Sequence, residues 1–171
     1  MSCSSIYAVP NKGNIYNHEI FSNSHLFAIT IWDNLCKEYL NDLNLLMCSE
    51  KDCDQLWSLI TDKRLPLYKR IVLGLTFDKT IVQQENFPKN TEALKIWSKN
   101  NPLHSTRMNE IAVSIEKLMD TPDLFGLYIM CTSVSGITLQ MPYNEDDLEN
   151  LYDISKCDDH KLLFEEYNLA D

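Results

Sequence analysis

The chain has 171 residues, 44 % of them hydrophobic and 10 % aromatic, enough apolar side chain for one core of ordinary domain size and too much for a disordered chain. Lys and Arg number 15 against 25 Asp and Glu, a formal charge of −10, which works against binding free nucleic acid or an anionic membrane, because both are held through neutralised phosphates. The expectation is a single domain over 1–171 with a short irregular segment at about 1–24. No run of about 18 apolar residues offers a membrane span. MSCSSIYAVPNKGN lacks the basic stretch and apolar run of a secretion signal, and six cysteines without a CxxC pair suggest reduced thiols, so a cytoplasmic chain is expected.

From His25 to Met47 apolar residues recur every three or four positions (Leu26, Ile29, Trp32, Leu35 or Cys36, Tyr39, Leu43, Leu46), which predicts an amphipathic helix. Ser49 suits the N-cap of a second helix with Cys53, Leu56, Trp57 and Ile60 inward, and Pro66 suits the first turn of a third, LPLYKRIVLGLTFD, buried over much of its surface. Pro88, Asn90 and Thr91 read as a stop followed by a short helix around Ala93, Leu94 and Trp97. After the break NNPLHS, Ser105 or Thr106 caps the strongest helical pattern of all, with Met108, Ile111, Ala112, Ile115, Leu118 and Met119 on one face, ended by Thr121 and Pro122.

LFGLYIMCTSVSGITLQMP fits a buried helix or a hairpin turning near Ser135 and Gly136; the alternation of Ile137, Leu139 and Met141 with Thr138 and Gln140 favours the hairpin. Two short helices are expected in the acidic end, one capped by Asn144 and one near Asp159 to Tyr167. The fold class expected from these elements is mainly α: a compact helical bundle, with or without a small β-hairpin near 127–141.

Familiar chemistry is hard to place on this chain. Cys131, followed by Thr132, Ser133 and Gly136, is the most enzyme-like context, with His18, His25, His104 or His160 as a remote base, yet none lies in a hydrolase signature. Cys48 and Cys53 have no second close pair to complete a zinc site. NEDDLENLYD lacks the glycine and spacing of a calcium loop. Four scattered glycines, Gly13, Gly74, Gly126 and Gly136, build no phosphate-binding loop. No enzyme activity and no cofactor are expected. The basic stretch Lys63 to Arg70 reads as the charged side of a helix start, or as an internal partner for the acidic tail.

The charge is lopsided. Before Pro142 there are 13 basic and 15 acidic residues; from Pro142 onward there are 2 and 10. A solvated face that keeps the chain soluble is the simple reading of such a run. The asymmetry, with Tyr143, Tyr152, Phe164 and Tyr167 interspersed, supports an interface for a basic partner instead, carboxylates standing where phosphates would lie. The contact candidates are Asp146, Asp147, Glu149, Tyr152, Asp153, Asp158, Asp159, Glu165 and Glu166.

In LPLYKRIVLGLTFDKTIV (Leu65 to Val82) and GLYIMCTSVSGITLQMPYNEDDLENLY (Gly126 to Tyr152), with its size and acidity, the chain resembles the small cytosolic immunity proteins of bacterial contact-dependent growth inhibition and related polymorphic toxin systems. The resemblance implies a non-enzymatic inhibitor that binds the carboxy-terminal domain of a cognate toxin, as a monomer in a 1:1 complex. Many such toxins are basic nucleases, and an RNase partner agrees with the acidic end. The alternatives are a DNA-mimicking inhibitor of a host nuclease and a cysteine hydrolase built on Cys131.

Overall fold

The structure, a computed structural model, describes residues 3–22, 26–41, 50–77, 80–131 and 160–169. Where the sequence suggested an irregular lead-in, strands β1 (Cys3–Pro10) and β2 (Tyr16–Ser22) form an antiparallel hairpin. Gly13, in the turn, has φ of 96°, a left-handed value that other residues resist. Ile6 pairs with Glu19 and Tyr7 with Asn17, which leaves His18 as the extra residue of a β-bulge.

Helix α1 (Ala28–Tyr39) buries Ile31, Trp32, Leu35 and Cys36. It stops well short of Met47, because Asn41 turns left-handed at φ 54° just past its carboxyl end; residues 42–49, with the expected Ser49 cap, lie outside the described residues. Helix α2 (Glu50–Ser58) runs into a tight turn, Leu59–Thr61, and α3 (Leu67–Gly74) begins after Pro66, which sits at its N-cap in extended conformation. Strand β3 (Thr80–Gln83) had no counterpart in the sequence reading. Pro88 starts a helix and does not stop one: it lies in the first turn of α4 (Phe87–Asn100), where a missing N–H costs nothing. Helix α5 (Ser105–Leu118) realises the strongest helical pattern.

Strand β4 (Leu124–Cys131) settles the first limb of the ambiguous apolar run as strand; the proposed turn and return limb lie outside the described residues. The two-residue β5 (Lys161–Leu162) leads into the single turn α6 (Leu163–Glu166). The strands form one mixed sheet in the order β2-β1-β4-β3-β5, antiparallel except for the β3–β5 pair. The expectation of a mainly helical bundle was wrong, and the chain is an α/β fold.

Alternation along the central strands sorts their side chains onto two faces. Ile6, Ala8, Val82, Leu127 and Ile129 enter the main core with residues of each described helix, α1 to α6, among them Leu56, Leu94, Trp97, Ile111 and Leu163. Val9, Ile81 and Tyr128 form a smaller cluster on the other face, and Tyr7 stacks on Tyr128 at 4.9 Å. Gly126 lets β3 approach β4: a Cβ there would lie 2.3 Å from the Val82 carbonyl oxygen.

Candidate functional site

The acidic end is described only over residues 160–169, and that part is built into the body. Lys161 and Leu162 pair in parallel with Thr80 and Ile81 of β3. Leu163 and Leu169 are fully buried, and Leu163 occupies the space that a side chain on Gly74 would need. Past α6, the Leu169 N–H bonds to the Phe164 carbonyl at 3.0 Å and the Asn168 N–H to that of Glu165 at 3.3 Å, with Asn168 left-handed at φ 49°. This is a Schellman closure with asparagine in the place glycine usually takes.

Arg70 completes it. Its guanidinium is buried and donates to the carbonyls of Ile60 (2.6 Å), Tyr167 (3.2 Å) and Asn168 (3.5 Å). One cation thus satisfies chain ends at both the Leu59–Thr61 turn and α6, where carbonyl oxygens converge and positive charge is favoured. Among the described residues, the basic stretch meets the acidic tail through the backbone oxygens of Tyr167 and Asn168. Of its other members, Lys69 reaches Glu38 and the Tyr39 hydroxyl, and Arg64 forks onto Asp62.

Of the nine contact candidates, Glu165 and Glu166 are described and stand adjacent and exposed on α6. Glu165 accepts a hydrogen bond from Gln83 at 3.2 Å, and Glu166 pairs with Lys161 at 2.6 Å. Asp146, Asp147, Glu149, Tyr152, Asp153, Asp158 and Asp159 lie outside the described residues, as does Tyr143. Phe164 belongs to the core, under the Lys89 ammonium, and Tyr167 packs edge-on against Phe77, so Phe164 offers no interface area.

A polar seam that sequence reading missed joins β2 to α5. The bulge brings consecutive residues against one helix: His18 Nε2 lies 3.3 Å from the Ser114 carbonyl oxygen, and Glu19 lies 3.4 Å from Lys117 Nζ. The nearby Ser114 hydroxyl, though not aligned for a full hydrogen bond, and Lys117 hold the Glu19 carboxyl below its ordinary value against the opposing effect of burial. At the strand's end Arg107 bonds to the Ser22 carbonyl and covers the Phe21 ring. Ser114 is fully buried and His18 faces its carbonyl, so the two are not arranged as nucleophile and base. The turn PNKGN, before β2, is the signal that could have revealed this hairpin.

The residues weighed for hydrolysis are dispersed where they are described: His18 on edge strand β2, His104 before α5, His160 beside β5 at the opposite edge. The Cys131 side chain, His25, Cys48 and the Cys53 side chain lie outside the description. Among the described residues no three His, Cys, Asp or Glu side chains gather to hold a metal ion, and no helix is long and apolar enough to cross a membrane. Compared with protein-family models, curated proteins and solved structures, the chain finds no match in any of the three.

Proposed function

We propose that the chain is an immunity protein that binds a basic toxin domain, an RNase, and neutralises it by occupying its cationic surface as a monomer in a 1:1 complex. The observation that supports this reading is the concentration of charge: 2 basic and 10 acidic residues from Pro142 onward, against 13 and 15 before it. Such a patch speeds and orients encounter with a cationic cleft, and carboxylates paired with the Arg and Lys that bind RNA would exclude the substrate. Glu165 and Glu166, exposed on a turn closed by hydrogen bonds and held by Arg70, present two of those carboxylates from a fixed base.

The test begins with capture of ligands on the immobilised chain at low and high salt. The expected ligand is a basic domain that arrests growth when expressed alone and is silenced by one equivalent of this chain. The variant Asp146→Asn, Asp147→Asn, Asp158→Asn, Asp159→Asn should bind it about tenfold or more weakly and with a flatter salt dependence. A resident nuclease as the ligand would move the answer to the DNA-mimic alternative. Silencing that is catalytic and lost in Cys131→Ala would move it to a hydrolase.

A further inference from the structure

We infer that Trp57, Phe77 and Tyr167 form a docking surface for an arginine-rich stretch of a basic protein, whose guanidinium groups stack on the rings while flanking carboxylates take their charge. The rings come from three separate segments yet make one row. Trp57 of α2 lies edge-on to Phe77 at 5.1 Å, and Phe77 edge-on to Tyr167 at 5.6 Å. All three are partly exposed at the margin of the core, whereas Trp32 and Trp97 are buried. Carboxylates stand at both ends: the exposed Asp54, three residues before Trp57 on α2, and Glu165 and Glu166 on α6.

Two features point to what the row holds. It already carries a cation of the chain's own: Lys161 places its ammonium 5.9 Å from the centre of the Tyr167 ring while pairing with Glu166 at 2.6 Å. Ring and carboxylate thus act together on one positive charge, and the same pair can serve a cation from outside once the half-exposed Lys161 swings away. The row is also fixed in advance. Trp57 rests edge-on against Trp32 at 5.1 Å, the Trp32 indole bonds to Thr76, the residue before Phe77, and Arg70 holds the Tyr167 carbonyl. Rings held in place lose little freedom on binding, which favours aromatic anchors at interfaces. Arginine suits the surface better than lysine, because its flat, weakly hydrated guanidinium stacks on a ring and still presents N–H groups to a carboxylate. The inference rests on the immunity reading for the partner's basic character, and it names the contact which that reading leaves open.

The experiment uses no toxin. Hexa-arginine and hexa-lysine amides are titrated into the full chain at low salt, by calorimetry and by tryptophan emission, which reports on Trp57 because Trp32 and Trp97 are buried. Hexa-arginine should bind at least about fivefold tighter than hexa-lysine and shift the emission. Tyr167→Leu, which keeps apolar packing but removes the ring, should lower that ratio to about twofold or less, the remainder coming from arginine's fork onto carboxylates. Should Tyr167→Leu not fold, Trp57→Leu reads the same loss by calorimetry alone. Equal affinities for the two peptides, or a preference for arginine that survives the ring substitution, would overturn the inference and leave binding to the carboxylates alone. The expected preference, found where capture yields no basic toxin, would refute the immunity reading and keep this surface.

Discussion

Gly126→Ala should destabilise the fold by about 2–4 kcal/mol, the net of an overpacking cost, lost ladder bonds and a small gain from a less flexible unfolded chain. The new Cβ would stand 2.3 Å from the Val82 carbonyl oxygen and 3.0 Å from Ile81 Cγ2. Carbon and carbonyl oxygen need about 3.3 Å, so β3 must retreat by about 1 Å. The obstacle is backbone, which no rotamer change relieves. Retreat breaks the two paired positions, Val82 with Leu127 and Gln83 with Gly126, by which β3 joins β4. Two weakened hydrogen bonds cost about 1–3 kcal/mol, strain adds about 1–3, and the restricted unfolded state returns about 0.4–1. Urea unfolding followed by tryptophan fluorescence would read this as a midpoint lowered by about 1–2 M at unchanged slope. Gly74→Ala is the internal comparison: its Cβ would meet the ends of Leu163 and Ile60 side chains, which can swing away, so its cost should be clearly smaller. A midpoint for Gly126→Ala within about 0.2 M of wild type would refute the claim that glycine is required for this strand approach.

Three further outcomes follow from buried contacts. The Trp32 indole N–H donates to Thr76 Oγ1 at 2.8 Å in the core, so Thr76→Val should cost about 1–3 kcal/mol and Thr76→Ser much less; equal unfolding midpoints for the two would remove that bond from the account. Burial acts to raise the Glu38 carboxyl, but its bonds with Lys69 and Tyr39 outweigh that and leave it below the ordinary value. A lowered carboxyl contributes stability above its unfolded pKa and loses it as pH falls through the folded value, so wild type should lose more stability than Glu38→Gln on going from pH 5 to pH 3. With Glu38 nearly half exposed the difference should stay under about 1 kcal/mol, and parallel acid titrations would contradict it. Gly13 has open space around its Cβ position, so Gly13→Ala tests backbone strain alone and should cost about 1 kcal/mol by thermal unfolding; a stabilised variant would contradict the left-handed turn.

Helix α5 was legible because it has one buried side and one wet side, which leaves a 3.6-residue pattern in the sequence, whereas α3, buried from Lys69 to Gly74, showed as a near-continuous apolar run after Pro66. The strands were hidden for opposite reasons. In β1, Ile6 and Ala8 fill one cluster while Val9 fills the other, so burial on both faces erased the alternation. Strand β2 lies at an edge, with Ile20 63 % exposed and a bulge at His18, and its residues read as a polar coil. Strand β3 is too short for any period to show. At the site, the two described candidates are at the surface as acidic residues usually are, but Phe164 is not: an aromatic beside two carboxylates looked like an interface until the body was present to bury it. Arg70 was read with its stretch as the charged side of a helix start or as an internal partner for the acidic tail, because nothing local announces that backbone carbonyls nearly a hundred residues away will enclose it.

The place of β1 in the sheet imposes an order on how the protein is made. Its inner neighbour is β4, Ser4 against Cys131 and Ala8 against Leu127, so β1 leaves the ribosome without that partner, which is translated more than a hundred residues later. At about 5–20 residues per second that interval lasts about 6–25 seconds. The β1–β2 hairpin is marginal by itself during that time, with Ile6, Ala8 and Val9 open to water and to other nascent chains. Yield in the cell should therefore respond to chaperone supply and to translation speed between β2 and β4 more than to the stability of the finished fold.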